Sequence, residues 1–445
     1  MTSSIISEPA AGGGEAGDQT QASSRRRRFR LLRRSNPAHA PRRGRARVAL
    51  VLAAPVAVAA GLTAGIRLGP PPPPATLEAT LPVRSVVPGN PPALSWPASG
   101  QAAVAIPSIG ALARSGAEQP VPVASLTKLM TALVVLEDHP LRAGDGGPQI
   151  TVTLVDAADL QNDETTGQTL VALAPGEVLT ERQALLGLIV HSANDLADLL
   201  ARWDAGSEEA FVRRMNATAA RLGLRHTHYV DASGFDTGSV STAADQLTVA
   251  AADMAIPAFA RIAATPSVDL PVAGTVDSYT PMLGVDGVVG VKSGFTSAAG
   301  GCDVLALFRR IGGRPVLVLA AVTGQQAVPG GPSVLAVAGL VGKQLATEAA
   351  AAVSVVPVAH PGRSVVRVAS GSTGARGVLA GAATLLAWPG QVVRQALVDL
   401  RPPAPGARPG AVIARARFAA GPQRVSVAVR LTRALPAPSL VHRLF

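Results

Sequence analysis

Lysine is almost missing from this chain. Of 40 lysines and arginines, only Lys128, Lys292 and Lys343 are lysine. Arginine does not give up its proton in a protein, so a basic side-chain amine can come only from one of these three positions. Cysteine is scarcer still. Cys302 stands alone, which excludes an intrachain disulfide, and its small-residue surroundings mark it as a packed core thiol. Aromatic residues make up only 3% of the chain, too few for the stacking platforms of single-stranded nucleic-acid binding. No glutamate occurs between Glu209 and Glu348. What is abundant is apolar: 48% of 445 residues, enough to build real cores in two or three domains.

The net charge of +11 is concentrated at one end. Residues 1–47 carry eleven arginines against Glu8, Glu15 and Asp18, which is +8 and leaves +3 for the rest. Val48 to Ile66 then runs for nineteen residues without a charge and closes on Arg67. That length spans a bilayer, and the arginine bias places the N-terminus in the cytoplasm. A cleaved signal peptide is the alternative, although the arginine-rich leader and the apolar run are both long for one. Residues 1–46 read as a disordered cytoplasmic tail, 47–67 as a transmembrane signal-anchor, and 68–95 as a proline-rich, semi-rigid spacer.

Three short motifs follow in order. The first is Ser125-Leu126-Thr127-Lys128, at the head of a run in which Leu126, Leu129, Met130, Leu133, Val134 and Leu136 cover nearly every face. The composition predicts a buried helix from Ser125 onward. Positions i and i+3 share a helix face, so the Lys128 amine can reach the Ser125 hydroxyl. A lysine whose pKa is lowered by burial can then activate the serine as a nucleophile. The competing reading is an N-cap serine followed by a surface lysine. The second motif, Ser192-Ala193-Asn194, follows a leucine-rich helix over Ala184 to Val190 with Thr180 as its N-cap. The third, Lys292-Ser293-Gly294, lies in a valine-rich strand and opens an antiparallel meander through Val304 to Phe308 and Val316 to Val322. Its glycines leave the strand edge open to another backbone. A helix opening at Pro332 closes this region, and short apolar runs after Val353 predict a small β-rich domain.

Taken together, S-x-x-K, S-x-N and K-S-G resemble the set found in the low-molecular-weight penicillin-binding proteins, the serine-type D-Ala-D-Ala carboxypeptidases. The likeness covers roughly residues 96–350 and includes Leu222-Gly223-Leu224, Thr227-His228-Tyr229 and Ser233-Gly234-Phe235-Asp236. Ser293 stands where the family more often has threonine, and the hydroxyl is kept. The resemblance implies an α+β fold: a β-lactamase/transpeptidase-like catalytic domain over 96–350, its antiparallel sheet flanked by helices with a helical lobe, then a β-rich domain over 351–445. It implies Ser125 as nucleophile, Lys128 as its base, and Lys292 as a second ammonium that helps keep Lys128 neutral by repulsion. Ser192 would relay a proton to the leaving amine, and Asn194 would orient the substrate amide or Lys128. Lys292 and Ser293 would receive the substrate carboxylate, with Gly294, Phe295 and Thr296 completing the substrate-binding edge. The N–H groups of Ser125 and Phe295 would form the oxyanion hole.

The expected substrate is a peptidoglycan stem peptide ending in D-Ala-D-Ala, with β-lactams as acylating inhibitors and no metal, cofactor or nucleic acid. His226 and His228 lack the carboxylate cluster that a zinc site would need. A D,D-endopeptidase, a β-lactamase and a silent wall-associated scaffold are the alternatives. The stretch without glutamate counts against the lactamase, because class A enzymes deacylate through a glutamate beyond S-x-N.

Overall fold

The computed structural model describes residues 74–437 apart from Ala117, Ala143 and residues 159–166. The expected cytoplasmic tail, membrane anchor and first part of the spacer therefore lie outside the described residues. The catalytic region is built on a five-stranded antiparallel sheet. Its strands are β1 (Gln101–Ile106), β2 (Ala111–Ser115), β3 (Val288–Thr296), β4 (Gly300–Ile311) and β5 (Arg314–Gln325), in the order β3-β4-β5-β1-β2.

This sheet is covered on both faces, which is why its central strands read as continuous apolar runs rather than as alternation. Val304 and Ala306 of β4, with Leu319 and Ala321 of β5, pack into the core shared with the helical lobe. Their neighbours Leu305, Leu307, Val318 and Ala320 point the other way and meet a long terminal helix.

The lobe contains α1 (Thr127–Asp138), α2 (Glu181–Leu186), α3 (Asn194–Ala205), α4 (Glu208–Leu222), α5 (Ala243–Met254) and α6 (Pro257–Ala263). The terminal helix α7 spans Val334–Ala352. Its N-cap is Ser333, whose hydroxyl accepts from the N–H of Ala336, so the helix opens two residues later than Pro332 suggests. Among the described residues α7 alone is long and apolar enough to cross a membrane, yet its Ala338, Leu345, Ala346 and Ala349 are buried against the sheet.

After Val353 the chain forms one strand of a two-stranded sheet, Ser354–Ala359 against Ala383–Ala387, and then enters a seven-stranded antiparallel sheet, which corrects the expected spacer. In sheet order its strands are Thr76–Ala79, Ser364–Ser370, Thr373–Leu379, Gln423–Leu431, Val412–Ala420, Val392–Val398 and Arg84–Val86. Residues from the stretch expected to be a free proline-rich linker thus supply both edges, Thr76–Ala79 against Ser364–Ser370 and Arg84–Val86 against Val392–Val398. Prolines exclude a central strand but not a short edge strand, and Leu77 packs its side chain against this sheet's core. That core is made by Val366, Val368, Phe418, Val429 and Leu431.

Candidate active site

Ser125 sits in a single 3-10 turn, Ala124–Leu126, and the α-helix proper begins at Thr127. The expected α-helix therefore starts two residues late, and the turn before it opens on Ala124, held at φ +49°. A non-glycine residue in the left-handed region costs about 1–3 kcal/mol and persists only where its surroundings enforce it. Here the enforcing group is a loop. A Cβ on Gly234 would lie 2.0 Å from the Ala124 carbonyl oxygen, so only glycine lets the loop press against this turn. Alongside, the Thr131 hydroxyl donates to the carbonyl of Ala232 at 2.6 Å.

Lys128 occupies the first turn of α1 and is completely buried. Its Nζ donates to the Ser125 hydroxyl oxygen at 3.1 Å, to Asn194 Oδ1 at 2.6 Å and to the carbonyl of Ser233 at 2.8 Å. Three acceptors match the three hydrogens of an ammonium. Burial is the largest influence on this group and lowers its pKa to about 8, against the opposing charges of Asp231, Asp198 and Asp195. When the proton leaves, two N–H bonds can still satisfy Asn194 and Ser233, and the lone pair is left for the longest of the three contacts, Ser125.

Asn194 arrives by a distorted helix end. Thr180 caps α2 in a reciprocal box with Gln183. The helix then widens into a π turn over Gly187–His191, a distortion frequent at functional sites. Ser192 closes the turn at φ +67°, and α3 opens at Asn194. Asn194 Nδ2 donates to Gln168 Oε1, so its amide is fixed from both sides. Ser192 is buried two residues from this group and makes no side-chain hydrogen bond among the described residues.

The third motif comes from the edge strand β3. Lys292 is buried, with its Nζ donating to the carbonyl of Ser293 at 2.8 Å. Its pKa is pushed well below the ordinary value by burial and then by the Lys128 charge, while Asp303 opposes. Desolvation is the larger influence on both amines, and the repulsion between Lys292 and Lys128 belongs to the pair. A buried pair of amines holds one proton more easily than two.

Gly294 carries the closest contact in the site. A Cβ there would lie 2.7 Å from the Ser125 nitrogen and 3.1 Å from its Cβ, so the glycine lets the strand edge lie directly against the serine. The Ser293 hydroxyl donates to the carbonyl of Tyr279 at 2.8 Å. The Thr296 hydroxyl accepts from the N–H of Ala299 and so closes the next turn, and Phe295 stands half-exposed at the rim.

Sequence reasoning missed Asp231. Its Oδ2 accepts from the Ser233 hydroxyl at 2.7 Å and from the N–H groups of Gly234 at 2.7 Å and Phe235 at 2.9 Å, while Oδ1 accepts from the Ser239 hydroxyl. One carboxylate therefore knits the loop that offers Ser233 to Lys128 and presses on Ala124. The signal was present as aspartate-turn chemistry in Asp231-Ala232-Ser233-Gly234. Asp303 was missed too. It faces Ser293 across β3 and β4, and burial raises its carboxyl to about 8. Cys302, opposite Gly294, is buried with its thiol pushed up to about 12, in keeping with a packed core residue.

An antiparallel sheet edge laid over a buried serine–lysine pair, with a helical lobe beneath, defines the β-lactamase/transpeptidase-like class. Residues 100–315 match the model of the D-alanyl-D-alanine carboxypeptidase family, peptidase S11. D-alanyl-D-alanine carboxypeptidase DacB2 of Mycobacterium tuberculosis is 35% identical over 204 residues, 44% of this chain and 65% of that protein. A D-alanyl-D-alanine endopeptidase of Pseudomonas aeruginosa is 32% identical over 42% of this chain and 59% of its own length. The chain thus spans less than two-thirds of either relative. In fold, the crystal structure of D-alanyl-D-alanine carboxypeptidase DacD from Francisella tularensis superposes with a TM-score of 0.54 at 18% identity, over 78% of this chain and 95% of that one.

Proposed function

We propose that this chain is a serine-type D-Ala-D-Ala carboxypeptidase that trims peptidoglycan stem peptides through an acyl-enzyme on Ser125. The observation that carries this reading is the buried Lys128 amine shared among Ser125, Asn194 and Ser233 directly under the Gly294 edge. Neutral Lys128 takes the Ser125 proton as the oxygen attacks the carbonyl between the two D-alanines. The N–H groups of Ser125 and Phe295 receive the oxyanion. The proton passes by way of Ser192 to the departing amine, the C–N bond breaks, and D-alanine leaves. Water then cleaves the ester, returning its proton through Lys128 and freeing Ser125. Asn194 positions the substrate amide as well as Lys128. The terminal carboxylate is received by Lys292 and by the Ser293 hydroxyl, which turns away from Tyr279, with Thr296 at the same edge. β-Lactams, which carry an equivalent amide and carboxylate, acylate the same serine.

The domain plan that accompanies this function is a cytoplasmic tail, an anchor over 47–67, the catalytic domain over 96–350 outside the membrane, and the β domain after 351. The endopeptidase reading uses the same chemistry on a cross-linked peptide and is favoured by the Pseudomonas relative's name.

The deciding experiment measures D-alanine release from a peptide ending in D-Ala-D-Ala, with Ser125→Ala as control. Release that vanishes in the control supports the proposal. Covalent penicillin labelling at Ser125 without release points to the endopeptidase. The absence of both release and labelling would overturn the catalytic assignment.

A further inference from the structure

The seven-stranded sheet turns one face to its own core and the other to solvent, and the solvent face is lined with arginine. Residues 353–445 contain twelve arginines, no lysine and a single acid, Asp399, whereas residues 48–352 are net negative. Register places most of these arginines together. Arg367 lies directly opposite Arg376, and Arg84 directly opposite Arg394. Between those two pairs, Arg415 and Arg417 on one strand share the face with Arg424 and Arg430 on the next. All eight side chains are exposed. Of these eight, only Arg367 has a carboxylate partner among the described residues, Glu78 on the edge strand.

Like charges directly opposite each other across an antiparallel pair destabilise the sheet, and this face contains two such pairs. An anionic surface would relieve that repulsion. The face also exposes Val86 and Val392, directly opposite each other, and Val412 beside Arg430. Cations interspersed with valines on a broad, open face suit lipid headgroups above a hydrocarbon layer better than a soluble polyanion. Six strands at about 4.8 Å spacing make the patch about 24 Å wide, the scale of several headgroups. In sequence, the uncharged run Val48 to Ile66 ends ten residues before Thr76, the first residue of this sheet.

We infer that the arginine face of the C-terminal sheet docks on an anionic lipid surface and holds the β domain against the membrane. The inference does not depend on the catalytic reading.

The test uses the full chain carrying Ser426→Cys, an exposed position on this face opposite Arg417, labelled with an environment-sensitive fluorophore. The native thiol of Cys302 is buried and does not compete for the label. A second chain carries the label at exposed Thr248→Cys on α5. Each is mixed with vesicles of phosphatidylglycerol or of phosphatidylcholine. The apolar N-terminal run can enter both kinds, so only headgroup recognition separates them. The label at position 426 is expected to respond to phosphatidylglycerol alone, and about 0.5 M salt should abolish the response by screening. With Arg394→Gln and Arg417→Gln together, docking should weaken by about 25-fold, roughly fivefold per arginine. An equal response to both lipids, no response, an equal response at position 248, or a response to soluble polyphosphate but not to phosphatidylglycerol vesicles would each overturn the inference.

Discussion

Gly294→Ala isolates the fit between the sheet edge and the nucleophile. The position is free of left-handed backbone, so alanine brings no φ strain and acts only through its added methyl. That methyl would lie 2.7 Å from the Ser125 nitrogen, 3.1 Å from its Cβ and 3.2 Å from its Cα. Ordinary carbon contacts begin at about 3.5 Å, so edge and serine must separate by roughly half an ångström to 1 Å. A misplacement of about 1 Å costs about 100-fold in rate. Loss of one oxyanion donor costs about 100- to 1,000-fold, so the two routes to slowing agree in size. Overpacking should also lower stability by about 1–3 kcal/mol. We therefore expect the second-order rate of acylation by a fluorescent penicillin to fall about 100-fold while the protein still melts cooperatively. Gly374→Ala is the control, since its methyl would meet nothing closer than the Val368 carbonyl oxygen at 3.9 Å. Acylation of Gly294→Ala within about threefold of the parent, a difference under 1 kcal/mol, would refute the close-approach argument.

Other expectations follow from the same geometry. The neutral form of Lys128 is the active base, so acylation should rise with pH along a limb near 8, where an ordinary lysine would give one near 10.5. At neutral pH this lowering supplies about 300-fold more free amine. Asp231→Asn removes a negative charge that favours the ammonium and leaves an amide able to hold the loop, so the limb of the pH–rate profile should move to lower pH. An unmoved limb would show that Asp231 serves folding alone. Deleting residues 74–86 strips both edges from the C-terminal sheet and should lower the melting temperature without slowing acylation by the folded fraction; a mere spacer would leave the melting temperature unchanged. Cys302 should resist thiol reagents at pH 8 in the native protein and react once the chain is unfolded, because burial holds its thiol near 12.

Much of the catalytic region could be read from the chain because its signals are local. The spacing in Ser125-Leu126-Thr127-Lys128 needs only helical geometry to bring amine to hydroxyl, and β3 to β5 announce themselves as valine-rich runs between glycine turns. The near-absence of lysine leaves few side chains able to serve as the base. Contacts made at long range were not legible. Residue 128 meets residue 233 only after four helices have packed, and no local pattern links Gly234 to the strained Ala124. The proline-rich stretch shows the same limit from the other side. Its composition describes an isolated chain, extended and without hydrogen bonds of its own, and such a chain is ready to pair with any open sheet edge. The sequence determined the chemistry available at each position and the backbone shape of each short segment. Tertiary structure alone decided which carbonyl receives Lys128, how far burial lowers its pKa, and which sheet edges residues 76–86 complete. Those outcomes depend on desolvation and on partners more than a hundred residues away, and neither is a property of local sequence.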